Sequence, residues 1–490
     1  MKKICHLIVC STLMYILTIV PTTTSNQFIP KDPIQSTFVD YDPLVDLNIT
    51  VDIIAIRALD TLDLLSDPDF FVKVYINEAE FISQIWENTS YVYNGFSTTI
   101  DVPDDDKTMD IRIQLWENDG TENEQCDISK EPNINGSGLD VQMTYDVSNG
   151  RWSGDNNNAD VTGYGRISGW ADGNQNKDEN DCEMWFSIHQ NDFDNDTLPY
   201  WIETNVYGTD PTLDDTGSDA DADEVPIEWE HRYGFNPFVW DDHRNIDPDR
   251  DSINNLEEYQ TYSLGSDPFR KDVFLEIDYM FESNGEIRNV TQEAIELTKT
   301  PFHRRNIVFH FDTGQLGGGE IVPFDDDSSF EEIRLIWNDY FLHNDSNNWR
   351  RGVFHYAIFV HDQTPKGYGF SGDVSPYWGY NPGTNSFAIA NTLVQKKAKL
   401  PLKSTAYITA SLIIHEMGHN FGIRFGEPFG CDNRLTGSPL KLGWYIWGNY
   451  KSIMNYRYTY SILDYSDGSH GKIDYDDWEN IDLTYFEKPK

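Results

Sequence analysis

Between residues 191 and 270 one acidic pattern occurs three times, and it limits what this part of the chain can become. Asp192, Asp194 and Asp196 alternate ahead of Leu198 and are followed by Glu203. Asp219, Asp221 and Asp223 stand in the same way to Val225 and Glu230, and Asp247, Asp249 and Asp251 to Ile253 and Glu258. Each copy therefore puts carboxylates at loop positions 1, 3, 5 and 12 and an apolar residue at 7, and the copies start 27 and 28 residues apart. Proline-marked turns follow each: Thr209-Asp210-Pro211, Asn236-Pro237 and Ser266-Asp267-Pro268. A fixed period of this length signals one supersecondary unit used repeatedly. Carboxylates crowded on tight loops repel one another unless a cation lies among them. Calcium, a hard ion that takes about six to eight oxygens, is the partner on which alternating aspartates converge.

An EF-hand loop needs glycine at position 6; here that place is held by Thr197, Glu224 and Ser252. The pattern instead resembles thrombospondin type-3 calcium repeats. That resemblance implies a spacer over 191–270 that calcium stiffens and that loosens on chelation.

A second constraint is Ser411-Leu-Ile-Ile-His415-Glu416-Met-Gly-His419-Asn-Phe-Gly422. On a helix, His415 and His419 leave the same face about one turn apart. Two imidazoles so placed suit one tetrahedral zinc ion, and Glu416, one position round, can take a proton from the attacking water. Gly422 falls where the helix must stop and turn, and Ser452-Ile453-Met454-Asn455-Tyr456 follows as a methionine-centred turn. Together these residues resemble the metzincin clan of zinc endopeptidases. The resemblance implies Met454 as the floor under the zinc ligands, Tyr456 as a helper at the oxyanion, and polypeptide as substrate.

One departure stands out. The clan's third ligand lies three residues after the glycine, and here that residue is Phe425, which has no donor atom. Asp432, a short carboxylate after a glycine turn, is the first choice as substitute. Cys431 is next, because thiolate binds zinc well, then Glu427, with His470 as an outside candidate. Phe425 also supports an alternative function: a calcium-stiffened surface or adhesion protein whose protease domain has lost activity.

The chain of 490 residues has room for about three domains. Its 82 Asp and Glu against 36 Lys and Arg give a net charge of -46, which disfavours nucleic acid as a partner because phosphate contacts need a basic surface. Lys2 and Lys3 ahead of an apolar run from Ile4 to Val20, then Thr22 to Ser25, read as an export signal over 1–25. Cleavage near Ser25 and retention as an anchor both fit. Sequons at Asn48, Asn88, Asn135, Asn195, Asn289 and Asn344 agree with a secreted or cell-surface glycoprotein. Of the cysteines beyond the signal, Cys126 and Cys182 are expected to form a bridge, leaving Cys431 odd.

The expected architecture is multidomain: an N-terminal antiparallel β-sandwich over 26–190, the repeat spacer over 191–270, and a C-terminal α/β metzincin-like catalytic domain over 271–490. Period-2 runs such as Met109-Asp-Ile-Arg-Ile-Gln-Leu-Trp116, bounded by Asn, Asp and Gly clusters, argue the sandwich. Within it, Ser66-Asp67-Pro68-Asp69-Phe-Phe-Val-Lys-Val and Leu115-Trp-Glu117-Asn-Asp119 resemble the calcium-dependent lipid-binding sandwich of protein kinase C. That implies an accessory module, with calcium at one end and association with a membrane or cell surface. From Asp272, strands alternate with helices, as a mixed α/β sheet requires. Ser328-x-x-Glu331 predicts a capping box opening a helix from Phe330 to Phe341, and Pro301 is expected to break a helix that begins near Thr291. His310, His355 and His361 lie on predicted strands and read as structural.

Overall fold

The computed structural model describes residues 47–484, apart from 64–65, 104–105, 121, 133–137, 174–179, 364–369, 372–384, 400–402, 424–425 and 427. The expected export signal, the polar lead-in and the Asn135 sequon lie outside the described residues. Among the described residues no helix is long and apolar enough to cross a membrane.

Among the described residues the first body has eleven strands: β1 (Asn48–Ala58), β2 (Phe70–Ile76), β3 (Ala79–Ile82), β4 (Tyr91–Val92), β5 (Phe96–Asp101), β6 (Thr108–Asn118), β7 (Asn123–Cys126), β8 (Val141–Asp146), β9 (Arg151–Gly154), β10 (Arg166–Ser168) and β11 (Cys182–Gln190). They form two antiparallel sheets. One runs β10-β11-β1-β4 with β5 also on β1, and the other runs β3-β2-β6-β8-β9 with β7 on β6. The alternation read from the sequence is the cause. Along β6, Met109, Ile111, Ile113 and Leu115 are buried while the residues between them are not, so a single face meets the core. Cys126 and Cys182 come together as expected, but as neighbouring free thiols and not as a bridge.

Each acidic loop of the repeat region runs into a short helix: α1 (Tyr200–Ile202), α2 (Ile227–Tyr233) and α3 (Asn255–Thr261). This segment departs from the expected spacer. Val225, Trp229, Tyr233 and Leu256 belong to the core of the sandwich, and Ile253 belongs to the core of the C-terminal body. The repeats are a wedge with one side in each core.

The C-terminal body has β12 (Lys271–Met280) at the centre of a sheet ordered β13-β12-β15-β17-β16, with β13 (Ile307–Asp312), β15 (Phe354–Val360), β16 (Phe370–Ser371) and β17 (Ser386–Ala390). β14 (Ile321–Val322) pairs with the far end of β12. The pairings are parallel except β16 on β17, which is antiparallel at the edge. Parallel strands buried on both faces read as continuous apolar runs, and every residue of β15 is buried. The helices of this body among the described residues are α4 (Gln292–His303), α5 (Phe330–Ile336), α6 (Asn391–Ala398), α7 (Thr405–Asn420) and the short α8 (Gly443–Ile446) and α9 (Asp477–Asn480).

Two expected helix boundaries are corrected. Pro301 lies inside α4, which continues to His303. Buried Phe302 packs on Phe309 and Phe421, with ring centroids 4.8 and 5.9 Å away, and these contacts outweigh one lost backbone bond near the helix end. The capping box sits one residue later than expected. Ser329 and Glu332 form it, and the helix they open passes at Trp337 into a π turn ending at Phe341. Ser328 is instead held in an isolated bridge to the chain just beyond β15, where its N–H donates to the Asp362 carbonyl.

Candidate metal centre

Helix α7 is opened by Ser404, whose hydroxyl accepts from the Tyr407 N–H, and every residue from Ile408 to Asn420 is buried. It enters the core so that its C-terminal turn carries His415, Glu416 and His419. Gly422, at φ +94°, takes the left-handed conformation that lets the chain reverse. The Ile423 N–H then donates to the Gly418 carbonyl at 2.9 Å, and the Ile423 carbonyl accepts from Nδ1 of His419 at 2.7 Å. The methionine turn does the same for the other ring: the Ile453 carbonyl accepts from Nδ1 of His415 at 3.0 Å. With each Nδ1 facing a carbonyl, that nitrogen is the one carrying the proton, which leaves Nε2 as donor atom.

Both Nε2 atoms face one carboxylate. His415 Nε2 is 3.1 Å from Oδ1 of Asp432, and His419 Nε2 is 3.0 Å from Oδ2. Of the substitutes for the missing ligand, Asp432 is thus the residue brought to the two histidines. The Met454 carbonyl accepts its N–H at 3.0 Å, and its backbone sits at φ +51°. Cys431 is fully buried in the apolar core, which pushes its thiol well above the usual range. His470 is elsewhere, with Nδ1 3.0 Å from Asp474 and 3.7 Å from Asp467. Phe425 and Glu427 lie outside the described residues.

The electrostatics match a crowded donor set. Burial opposes charge on His419, but the Asp432 carboxylate outweighs it and pushes the imidazole up to about 9. Burial would likewise raise Asp432, yet the two imidazoles hold its carboxyl far below the usual range. Glu416 is 4% exposed, and burial raises its carboxyl. Tyr456 stacks on the His415 ring at a 6.1 Å centroid distance, and burial, with the Asp432 charge adding, pushes its phenol well above the usual range.

Met454 was expected beneath the ligands; what sequence reasoning missed is the part Gly418 plays there. A Cβ on Gly418 would stand 2.5 Å from Sδ of Met454 and 2.9 Å from the Tyr465 ring. The glycine inside α7 is therefore where the methionine turn presses on the helix. A glycine between two candidate ligands was the readable sign. His310, His355 and His361 are structural, as expected: His310 bonds Asp272 at 2.7 Å, His361 bonds Glu282 at 2.5 Å, and buried His355 packs on Phe421.

The three acidic loops share one geometry. Position 6 is left-handed in each (Thr197 φ +78°, Glu224 +81°, Ser252 +76°), and so is position 4 (Asn195 +66°, Ala222 +67°, Arg250 +65°). The conformation an EF-hand gives to glycine is therefore kept without glycine. The first aspartate of each loop accepts from the N–H groups of positions 4 and 6, and the third from that of position 7. A later backbone N–H, of Asp215, Asp241 or Asp272, donates to the other oxygen of the third aspartate. Leu198, Val225 and Ile253 anchor the loops in the cores. Glu203, Glu230 and Glu258 are fully buried, and each has at least one carboxylate oxygen with no hydrogen-bond partner among the described residues. Burial raises Glu203 to about 8, Glu230 to about 7 and Asp249 to about 11, with neighbouring aspartates adding to each. Unpartnered buried carboxylates in this number fit a cation's ligand shell, since without one they are costly.

At one end of the sandwich Asp63, Glu117 and Asp119 converge, in a cleft of about 510 Å³ lined also by Asp67 and Asp69. Burial, with the Asp119 charge adding, raises Glu117 to about 7. The acidic residues singled out in the two sandwich motifs thus meet at one end.

No family model and no curated protein matches the chain. Among solved structures it is similar to human GIVD cytosolic phospholipase A2 at 14% identity, over 30% of this chain and 16% of that one, with a TM-score of 0.19. It is similar to a C2 domain at 11% identity, over 29% of this chain and 98% of that one, TM-score 0.18. It is also similar to a C2 domain-containing protein from a putative elicitor-responsive gene, at 15% identity over 29% and 86% of the two chains, TM-score 0.18. The chain spans only 16% of the phospholipase's length, and overlaps this shallow say nothing about what it does.

Proposed function

We propose that the chain is a secreted zinc-dependent endopeptidase whose zinc is held by His415, His419 and Asp432. The observation that carries this reading is the pair of Nε2 atoms at 3.0–3.1 Å from one carboxylate, with both Nδ1 atoms occupied by carbonyls. Two nitrogens and one oxygen in a buried pocket fit zinc with one position left open. Bound there, zinc would acidify a water molecule and polarise the substrate carbonyl. Glu416, whose carboxyl burial has raised toward the working range, accepts the proton of the attacking water and passes it to the leaving amine. The Tyr456 hydroxyl donates to the oxyanion as it forms. Met454 and Gly418 keep the ligand-bearing turn from shifting.

In the same reading the three repeat loops hold calcium through Asp192, Asp194, Asp196 and Glu203, through Asp219, Asp221, Asp223 and Glu230, and through Asp247, Asp249, Asp251 and Glu258. A further calcium at Asp63, Glu117 and Asp119 would dock the sandwich on an anionic lipid surface. Retention of Glu416 beside the complete ligand set favours the active enzyme over the inactive adhesion protein. The test is Glu416→Gln. It is expected to keep a full zinc equivalent and lose chelator-sensitive casein cleavage by a factor of about a hundred or more; cleavage at the parent rate would overturn the assignment.

A further inference from the structure

The middle repeat differs chemically from its neighbours. His243 lies two residues after Asp241, whose N–H closes that loop, and the corresponding place in the first repeat is Gly217. Its Nε2 atom is 3.1 Å from Oδ2 of Asp223 and 3.6 Å from Oε1 of Glu230, and all three side chains are fully buried. Among the described residues, neither oxygen of Glu230, neither oxygen of Asp221, nor Nε2 of His243 has a hydrogen-bond partner. The ring cannot turn away, because Trp229 and Phe235 meet it edge-on at 6.0 and 5.1 Å. On its far side Nδ1 is 3.0 Å from the Asn255 amide, and among the described residues the Asn255 oxygen is itself without a partner. Turning that amide over lets the oxygen accept from Nδ1–H, which frees Nε2 as a donor atom. The arrangement repeats the one at His415 and His419: an imidazole pinned at Nδ1, its Nε2 about 3 Å from carboxylates, in a buried pocket.

We infer that the middle repeat is a mixed imidazole–carboxylate site for a divalent transition-metal ion of the manganese-to-zinc class, with His243, Asp223 and Glu230 as ligands. Imidazole suits such ions, whereas calcium takes oxygen. This rests on reading the loops as cation sites and revises the occupant of the middle one, leaving calcium to the loops at Asp192–Glu203 and Asp247–Glu258.

The test is the zinc content of the full-length protein after equilibration with zinc in excess calcium. His243→Gln is expected to lose one zinc equivalent relative to the parent, and His415→Ala/His419→Ala a different one. Unchanged zinc in His243→Gln overturns the inference and leaves the endopeptidase reading intact; unchanged zinc in the double variant does the reverse. Should His243→Gln fail to fold, cadmium-113 NMR of His415→Ala/His419→Ala decides. A resonance downfield of the all-oxygen sites, marking nitrogen ligation, is expected, and its absence overturns the assignment.

Discussion

At the scale of single residues, the candidate zinc site depends on where two carbonyls and one glycine fall. Ile423 and Ile453 set the tautomers of the two histidines, and Asp432 answers both rings. Losing an outer partner of a metal ligand costs about 10–100-fold in affinity, so losing a ligand costs more. Asp432→Ala is expected to weaken zinc binding by more than about 100-fold, read as zinc retained after dialysis; full occupancy would reject Asp432 as a ligand. Gly418→Val places carbon where a Cβ is already 2.5 Å from Met454 Sδ. Overpacking of that kind costs about 1–3 kcal/mol, so the thermal midpoint should fall and zinc affinity with it. A variant as stable as the parent would show that the methionine turn does not press on the helix.

At the scale of elements, the acidic loops are strained and charged at once. Ser252 at φ +76° occupies a region that favours glycine, at a cost of roughly 1–2 kcal/mol for an L-residue. Ser252→Gly should therefore stabilise the calcium-loaded protein by about 0.5–1 kcal/mol in denaturant unfolding, and a loss of stability would show that the hydroxyl matters more than the backbone. Charge predicts a pH effect. Glu203 and Glu230, raised to about 8 and about 7, bind protons more tightly folded than unfolded. Metal-free stability should then rise as pH falls from about 8 toward the unfolded carboxylate range near 4. In EDTA, protease cleavage within 191–270 should slow on acidification to pH 5, and excess calcium should abolish the trend. Equal cleavage across that range, with and without calcium, would count against cation loops.

At the scale of the molecule, the sandwich and the C-terminal body meet over buried charge. Glu183 on β11 pairs with Arg166 and with Arg57 Nε at 3.1 Å, and accepts from Nδ1 of His303 on α4 at 2.5 Å. Arg57 also reaches Glu296 of α4. Burial works against the Glu183 charge, but the arginines hold its carboxyl well below the ordinary range; burial keeps His303 neutral. A depressed carboxyl stabilises the fold above its unfolded value of about 4.3 and loses that contribution as pH falls below it. Calcium-loaded protein should therefore lose the junction only under acid below about pH 4. Glu183→Ala leaves both arginines without this partner, at a cost of about 3–5 kcal/mol. Unfolding of this variant at parent stability would mean the two bodies are held by their apolar contacts alone.

What the chain's order of residues determined by itself was periodic or local. Alternation along β6 defines one buried face, three registered loops crowd carboxylates together, and His415 and His419 at helical spacing share a side, because each pattern acts over a few residues. Three things were decided only by the tertiary structure: Asp432 as the residue that meets both rings, the repeats as a wedge between two cores, and the arrival of His243 at the middle loop. Each depends on distant segments packing together. Asp432 reaches the histidines because the Met454 carbonyl holds its backbone, and His243 reaches Glu230 because Trp229 and Phe235 clamp its ring. No local spacing encodes such meetings, which arise only when apolar burial closes the chain on itself.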